Sequence, residues 1–270
     1  MNITASIVLY DSNSTTILAL VKDLLIQGVE HVYLVDNSSI NNQAAYPTNG
    51  QIEYLHNPSN PGFGAAHNLA IELAQKAQPK YHFIVNPDIQ LGEDVIHSMV
   101  NFMSKDLKIG MMMPQILNLD GSIQFLPKLF PSPLSILKRK FKFPFHSQQA
   151  FVNTYELRIS PSSQIYQGPI ISGCFALLNL TAVREVGCFD ESFFMYFEDF
   201  DLSRRMNKSY KTVYYPLAHV IHGYDSGANK NFTLLGHFVK SAIQYFTKWG
   251  WFIDKERDQL NQQTLSQFQQ

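Results

Sequence analysis

The sequence "FFMYFEDFDLSRRM" (residues 193–206) sets three carboxylates among aromatic residues, in a chain with only 16% charged residues. Burial beside apolar rings raises the pKa of a carboxyl group, which is how proteins tune a general base to work near neutral pH. Asp199 is the strongest candidate for such a base. The alternative is structural, because acids in the first turn of a helix favour its dipole and Arg205 lies four residues after Asp201. Glu198 fits either a capping role or contact with a substrate.

A further carboxylate, Asp88, directly follows an apolar segment in "YHFIVNPD" (residues 81–88). This carboxylate and the amide oxygen of Asn86 suit a hard cation such as Mg²⁺ or Mn²⁺, which completes its coordination with substrate phosphates. The alternative is an Asx-type turn after a strand. His222 follows a later strand-like segment, and we interpret it either as a structural histidine or as a contact for the cation or a phosphate.

A loop rich in Gly, Pro and Asn, "NPSNPGFGAAHN" (residues 57–68), leads into a predicted helix. Free backbone N–H groups and the positive end of a helix dipole suit a phosphate. The loop lacks the GxGxxG pattern of dinucleotide sites and the GK[ST] pattern of P-loops. An ordinary helix entry explains it equally well.

The elements that must position these residues alternate between strands and helices in the first third of the chain. The predicted strands cover residues 3–10, 31–39, 51–57 and 81–88, and the predicted helices cover residues 15–28 and 64–77. This alternation predicts βαβ units, hence an α/β fold with a mostly parallel sheet and helices on both faces. Asp11, Asp36 and Asp88 follow three of these strands, and ligands bind beyond the carboxyl ends of such strands. We expect the three acids to converge on one crevice.

The pattern changes beyond residue 105. Apolar runs predict strands at residues 109–117 and 170–179, and residues 120–168 between them are expected to be irregular. A loop that long is usually functional or mobile. A short helix is predicted at residues 181–187, and the chain ends in a helical tail with a strong aromatic face.

Composition narrows the class of protein. The 270 residues carry a formal net charge of −1, which argues against a nucleic-acid-binding protein. Two cysteines, Cys174 and Cys188, do not form a disulfide framework, which fits a reducing compartment. The first residues lack a basic region and cleavage site, and no apolar run is long enough to span a membrane. We expect a cytoplasmic protein.

Taken in order, seven segments resemble the family 2 glycosyltransferases, inverting enzymes with the Rossmann-like GT-A fold. The segments are "SIVLYDSN", "VDNSS", "NPGFGAAHN", "VNPD", "GPIISGCFALLN", "VGCFDESFFMYFEDFDLSRR" and "VIHGYDS". Within the family, the likeness is greatest to bacterial rhamnosyltransferase-like enzymes of surface polysaccharide synthesis. The resemblance implies a catalytic domain at residues 1–226, with a nucleotide-sugar half (1–105) and an acceptor half (106–226), followed by a helical tail (227–270).

The resemblance also implies roles for individual residues. Asp199 would be the catalytic base and Glu198 would contact the acceptor, while Asp88 and His222 would hold Mg²⁺ or Mn²⁺ against the donor diphosphate. Asp36 would hydrogen-bond the nucleotide base. The residues implied to line the donor are Tyr10, Asp11, Asp36, Phe63, Gly64, Asn68, Asn86 and His222.

Four positions depart from the family pattern. Asn86 replaces the first acid of the usual DxD motif, which leaves fewer charges to hold a metal. Asp11 stands where relatives usually have Asn. His67 and Ala70 replace a more usual Asn and Gly, which leaves the sugar preference open.

The resemblance implies a nucleotide-sugar donor, dTDP-L-rhamnose or a UDP-hexose, and a glycan or lipid-diphosphate-linked acceptor of O-antigen or capsule synthesis. Two alternatives are weighed against this function. A sugar nucleotidyltransferase should carry a Gly-rich basic loop near its N-terminus, and "SIVLYDSNSTT" has none. A non-catalytic nucleotide-sugar-binding module should lack the base or the metal acid, yet Asp88 and Asp199 are both present.

Two segments raise further hypotheses about partners. The segment "ILKRKFKFPFH" (residues 136–146) carries four basic residues and is either a solvated loop or a contact for a lipid-diphosphate acceptor or an anionic membrane. The aromatic face of residues 237–253 indicates core or a homodimer interface, with peripheral membrane contact as the alternative.

Overall fold

The computed structural model describes residues 3–140, 145–223 and 232–269, which fold around a central sheet. The strands are β1 (Ile3–Leu9), β2 (His31–Asp36), β3 (Ile52–His56), β4 (Tyr81–Val85), β5 (Ile89–Leu91), β6 (Ile109–Leu117), β7 (Tyr166–Gln167), β8 (Phe175–Asn179) and β9 (Lys211–His222). The helices are α1 (Ser14–Ile26), α2 (Phe63–Lys76), α3 (Val95–Ser104), α4 (Pro133–Lys140), α5 (Phe145–Tyr155), α6 (Leu180–Val186), α7 (Glu198–Met206), α8 (Phe232–Trp249) and α9 (Lys255–Ser266).

Four parallel strands, in the order β3-β2-β1-β4, form the first half of the sheet. Their register pairs Leu9 with Asp36, Asp36 with His56, and Ile7 with Val85. The carboxyl ends of these strands consequently lie at one edge of the sheet, where ligands bind in folds of this kind.

Helices cover both faces of this half, as the alternating pattern predicts. Val32 and Leu34 of β2 belong to the main core together with the buried residues of α1. Tyr33 and Val35 point to the other face and pack with small residues of α2, among them Ala70. Successive residues of a strand face opposite sides of the sheet. A strand that is apolar throughout, such as β2, therefore needs packing partners on both faces.

The second half of the sheet is mixed. Strand β8 runs antiparallel between β4 and β6, β9 runs parallel to β6, and both β5 and β7 pair antiparallel with β9. The expectation of a mostly parallel sheet thus holds only for the first half. The reason is that the strand–helix alternation that predicts parallel neighbours covers only β1 to β4, and the place beside β4 is filled much later in the chain by β8.

The segment expected to be irregular, residues 120–168, contains the helices α4 and α5, so that expectation is corrected. Helix α4 starts with Pro133, which suits the first helical position, and the side-chain oxygen of Ser132 accepts a hydrogen bond from the backbone N–H of Ser135 (3.1 Å). In the sequence this helix start is hard to recognise, because the surrounding residues are rich in Pro, Phe and Lys.

A buried ion pair joins the C-terminal helices to helix α7. Arg204 of α7 is 1% exposed and donates two hydrogen bonds of 2.6 Å to the carboxylate of Asp254, just before α9. Glu256 accepts further bonds from the same guanidinium at 3.0 and 3.1 Å. Within the described residues, no helix combines the length and the hydropathy that crossing a membrane requires.

We expect Asp254→Asn to lower the free energy of unfolding by about 3 kcal/mol or more, because it leaves the buried Arg204 charge without its bidentate partner. Asparagine still suits the position before α9, so the loss reports on the charge rather than on helix capping. Urea denaturation measures the change. The control is Glu256→Gln, whose side chain is 40% exposed and which should cost about 1 kcal/mol or less. Equal losses in the two variants would contradict this account.

Candidate active site

Tyr10 and Asp11 lie at the carboxyl edge of the parallel strands, as predicted, and both are exposed. Asp11 has a left-handed backbone (φ +49°), and its N–H donates to the hydroxyl of Ser38 at 2.8 Å. This bond connects the loop after β1 with the loop after β2 at the carboxyl edge of the sheet.

Asp36 also lies at this edge but is 1% exposed, and protein groups surround its carboxylate. The backbone N–H of Ser38 (2.9 Å), the hydroxyl of Tyr54 (2.6 Å) and the amide of Asn42 (3.2 Å) all donate to it. Burial opposes ionisation, but these hydrogen bonds outweigh it and lower the pKa of Asp36. Asp36 is consequently an ionised group that shapes the loop after β2.

Asn68 and Gly64, predicted to lie along the donor, join α2 to the segment before the acidic pair. The amide of Asn68 donates to the carbonyl of Phe189 and to Glu191, and its oxygen accepts from the N–H of Phe189, all at 2.9 Å. A Cβ at Gly64 would lie 2.8 Å from the Cβ of Phe189, so only glycine allows this approach. Both residues serve here to hold the two halves of the site together.

Asn86, Asp88 and His222 meet at the ends of β4 and β9, although they are far apart in the sequence. Nε2 of His222 lies 3.3 Å from Oδ1 of Asp88 and 3.3 Å from the amide nitrogen of Asn86. Burial raises the pKa of Asp88, but the hydrogen bond and charge that the charged form of the His222 ring would supply outweigh burial and lower the pKa; in its neutral form the ring carries no such charge.

Gln124, which sequence reasoning missed, orients the His222 ring. Its amide N–H donates to the carbonyl of His222 (2.9 Å), so its oxygen is the acceptor that faces Nδ1 (3.1 Å). We assign the proton to Nδ1 on this basis, which leaves the lone pair of Nε2 directed toward Asp88. A carboxylate oxygen and an imidazole lone pair so close together are suited to hold a cation between them.

Glu198 and Asp199 begin α7, as predicted, and their side chains occupy different environments. The carboxylate of Asp199 accepts from the backbone N–H groups of Gly173 (3.2 Å) and Phe200 (2.9 Å). Glu198 is 6% exposed, and its Oε2 has no hydrogen-bond partner among the described residues.

The pKa of both carboxyl groups is raised. Burial raises the pKa of Asp199 to about 6, against the opposing effect of its two backbone donors and of the Lys128 charge. Burial and the neighbouring Asp199 charge raise the pKa of Glu198 well above its ordinary range. Asp199 is consequently the member of the pair that ionises near neutral pH, and ionisation of Glu198 is the more strongly opposed.

The aromatic residues near Asp199 have a different role from the one expected. Phe193 and Phe197 form a buried cluster with Tyr245 and Phe246 of α8 instead of a pocket around the carboxylate. Tyr196 and Phe197 both have left-handed backbones (φ +69° and +67°), which is costly for aromatic residues. Bonds from α8 support this turn, since Ser241 donates to the carbonyl of Met195 at 2.8 Å.

Phe63 is the predicted donor residue that reaches the acidic pair. A Cβ at Gly173 would lie 3.0 Å from the ring of Phe63 and 3.8 Å from the Cβ of Asp199. The three residues are thus neighbours, and because Gly173 has no side chain, the space between the aromatic ring and the carboxylate stays open.

The structural interpretation of Asp201 is confirmed, because its carboxylate accepts a hydrogen bond from Nε of Arg205 four residues later (2.8 Å).

A parallel half-sheet covered by helices on both faces, joined to a mixed half-sheet that places an acidic pair at the start of a helix, is the architecture of the GT-A fold. Sequence comparison agrees with the structure. Residues 5–187 match the family model described as "Glycosyl transferase family 2". The chain belongs to this family, as its motifs predict, and it is a glycosyltransferase.

Two curated relatives show which activities occur in similar proteins. The chain is 32% identical to N-acetylglucosaminyl-diphospho-decaprenol L-rhamnosyltransferase of Mycobacterium tuberculosis, over 78% of this chain and 73% of that protein. It is 22% identical to the low-salt glycan biosynthesis hexosyltransferase Agl10 of Haloferax volcanii, over 68% of this chain and 55% of that protein.

Solved structures confirm the fold. GalNAc-T7 with UDP, GalNAc and Mn²⁺ superposes with a TM-score of 0.65 at 16% identity, over 92% of this chain and 48% of that one. The mannosyltransferase PcManGT of Pyrobaculum calidifontis, in complex with GDP-Man and Mn²⁺, gives 0.55 at 14% identity, over 83% and 57%. The chain spans about half the length of these two proteins.

We expect Asp199→Asn to stabilise the protein at neutral pH, by on the order of 1–2 kcal/mol. The pKa of Asp199 is higher in the folded state (about 6) than its ordinary value of 3.8. The folded state therefore loses stability as the pH rises between these two values, and the deficit stays constant above them. Denaturant midpoints measured across this range should show the gain shrinking toward acid pH.

The matched control for this measurement is Asp201→Asn. Asp201 is fully buried and ion-paired with Arg205, so its neutralisation should destabilise the protein at the pH where Asp199→Asn stabilises it. A loss of stability in both variants would contradict the raised pKa of Asp199.

Proposed function

We propose that this glycosyltransferase moves a sugar, with inversion, from a nucleotide-diphosphate donor to a lipid-linked saccharide in bacterial cell-surface polysaccharide synthesis, such as that of O-antigen or capsule. The observation that carries the proposal is Asp199, a half-buried carboxylate whose pKa of about 6 suits a general base at neutral pH. The relative at 32% identity, named for a diphospho-decaprenol acceptor and L-rhamnose, supports this acceptor class and dTDP-L-rhamnose as the first candidate donor. A UDP-hexose is the second candidate.

The reaction needs a single carboxylate base. Asp199 takes the proton of the acceptor hydroxyl while that oxygen bonds to the anomeric carbon, and the bond from this carbon to the donor diphosphate breaks. Attack from the face opposite the leaving group inverts the configuration. Burial and the Asp199 charge favour the protonated form of Glu198, which is proposed to hydrogen-bond the acceptor.

Asp88 and His222 are proposed to hold Mg²⁺ or Mn²⁺. Their 3.3 Å separation and the assigned orientation of the His222 ring fit a cation whose remaining ligands are phosphate oxygens and water. When bound, such a cation supplies positive charge that stabilises the departing diphosphate. Tyr10 and Asp11 are proposed to receive the nucleoside at the same edge, where buried Asp36 holds the loop after β2 in place. Phe63, Gly64, Asn68 and Asn86 are proposed to border the sugar diphosphate.

Two single substitutions should separate donor binding from transfer. Calorimetry with dTDP-rhamnose, UDP-glucose and GDP-mannose, with and without Mn²⁺, measures binding, and a synthetic N-acetylglucosaminyl-diphospho-lipid reports transfer. Asp88→Asn should lose the Mn²⁺-dependent part of donor affinity. Asp199→Asn should bind donor normally and transfer roughly 10²–10⁴-fold more slowly, because it lacks the general base.

The outcomes test different parts of the proposal. If wild-type protein binds none of the three donors, the proposed function is wrong. If Asp199→Asn transfers sugar at the wild-type rate, the base is another residue. If Mn²⁺ does not change donor affinity in wild-type protein, Asp88 and His222 do not form a cation site.

The tail supplies a surface that we propose to rest on the inner face of the plasma membrane. One side of α8 packs on the core through Tyr245 and Phe246, which agrees with the prediction that its aromatic face is core. The other side exposes an apolar groove edged by Lys240, and the following residues 251–253 are exposed as well. Exposed apolar side chains beside a basic rim suit an anionic bilayer.

Pelleting with phosphatidylglycerol vesicles tests this surface. Wild-type protein should pellet at low salt, and Ile253→Ser, which changes an 86% exposed residue, should reduce pelleting several-fold. Ile26→Ser, at a 69% exposed position on α1, is the matched control and should pellet like the wild type. If the protein does not pellet, or if sedimentation shows a dimer that Ile253→Ser dissociates, the surface is not a membrane contact.

A further inference from the structure

A group of cations lies near the acidic pair, and no step of the proposed reaction uses it. Glu156 is 6% exposed and lies at its centre. Arg139 of α4 donates from Nε to one carboxylate oxygen (2.8 Å), and Arg158 donates from Nη2 and Nε to the other (2.6 and 3.0 Å). The hydrogen bond from the N–H of Leu129 to the carbonyl of Tyr155 (3.0 Å) brings the neighbouring Lys128 to the same place. We call these residues, Lys128, Arg139, Arg158 and Glu156, the insert cluster.

The insert cluster has more positive than negative charge. Three cations surround the single carboxylate of Glu156, and both oxygens of this carboxylate already accept from arginines. Burial and the charge of Arg139 lower the pKa of Lys128 to about 8, even though the charges of Glu156 and Asp199 act in the opposite direction. An additional anion would offset this repulsion.

Lys128 connects the insert cluster with the catalytic base. Its charge acts on Asp199 and lowers the pKa of that carboxyl group, so the ammonium and the carboxylate lie within electrostatic range of each other. A molecule that presents a hydroxyl to Asp199 would extend from there toward Lys128 and Arg139.

Helix α4 also exposes apolar side chains. Leu134 and Leu137 of α4 are 56% and 50% exposed, and their spacing of three residues places them on one side of the helix. The ring of Phe125 lies 4.7 Å from the guanidinium of Arg158. The segment thus exposes apolar side chains as well as cations, although Arg139, five and two residues after Leu134 and Leu137, lies on another side of α4.

We infer that the insert cluster binds the diphosphate of a lipid-linked acceptor, with Arg139 and Lys128 as phosphate contacts. The inference deepens the proposed function and rests on it. A guanidinium has five N–H donors, and Glu156 takes only the Nε–H of Arg139 in the bonds above, so the same group can also bind phosphate. The acceptor sugar is bonded directly to this diphosphate. With the diphosphate on the insert cluster, a hydroxyl on the other side of the sugar ring would point toward Asp199.

Undecyl diphosphate, which has the phosphates and a chain but no sugar, is the probe for this site. Its affinity is measured by calorimetry below the micelle concentration, in EDTA and in the Asp88→Asn background, so that the donor diphosphate site does not contribute. Adding Arg139→Gln or Lys128→Met should weaken binding by roughly tenfold or more, as expected for a lost charged hydrogen bond. Arg139→Lys retains the charge and should keep most of the affinity.

Lys138→Gln is the matched control, because it removes a charge from the same helix at an ammonium that lies 5.8 Å from the ring of Phe151. It should bind undecyl diphosphate like the parent. If Arg139→Gln also binds like the parent, the inference is wrong. If Arg139→Gln weakens pelleting with phosphatidylglycerol vesicles but leaves the affinity for soluble undecyl diphosphate unchanged, the cluster contacts bilayer head groups and the inference is equally wrong.

Donor binding by the wild type, measured in parallel, separates this inference from the proposed function. Wild-type protein that binds undecyl diphosphate through Arg139 but binds no nucleotide-sugar contradicts the proposed function and supports the phosphate site. Wild-type protein that binds donor, while Arg139→Gln binds undecyl diphosphate normally, contradicts the phosphate site alone.

Discussion

The structure depends on placing two adjacent carboxyl groups, Glu198 and Asp199, together at the start of one helix. Burial makes both costly to ionise, and the charge on one raises the pKa of the other. Backbone donors and the dipole of α7 offset part of this cost and favour ionisation of Asp199. The far end of α7 is then fixed by Arg204, whose ion pair with Asp254 brings the C-terminal helices onto the core.

Sequence patterns predicted the elements that local chemistry determines. Strands β1 to β4 are short apolar runs that end in turn-forming residues, and helices α1, α2 and α6 end where helix-stopping signals occur. The ion pair between Asp201 and Arg205 follows from helical spacing alone, and the structure confirms it. The meeting of Asp88 with His222 was predicted from the family resemblance, since no local signal connects two strands so far apart in the chain.

The remaining features depend on contacts between distant segments. Gln124 orients the ring of His222, and the charge of Lys128 lowers the pKa of Asp199. Both residues come from a stretch whose composition indicates only a loop. The side-chain amide of Asn68 hydrogen-bonds the backbone of Phe189, more than a hundred residues away in the sequence. The aromatic residues before α7 appear in the sequence as a lining for the base, but their partners on α8 could not be identified without the tertiary fold.

The left-handed turn at Tyr196 and Phe197 directly precedes Glu198 and Asp199. The positions of these two carboxyl groups therefore depend on what stabilises the turn. A turn of this kind is unfavourable in isolation and persists only where surrounding contacts select it. Here those contacts come from α8, so the positions of Glu198 and Asp199 depend on the packing of that helix. A chain without its C-terminal helices would keep the parallel half of the sheet but would lose the contacts that hold Glu198 and Asp199 in place.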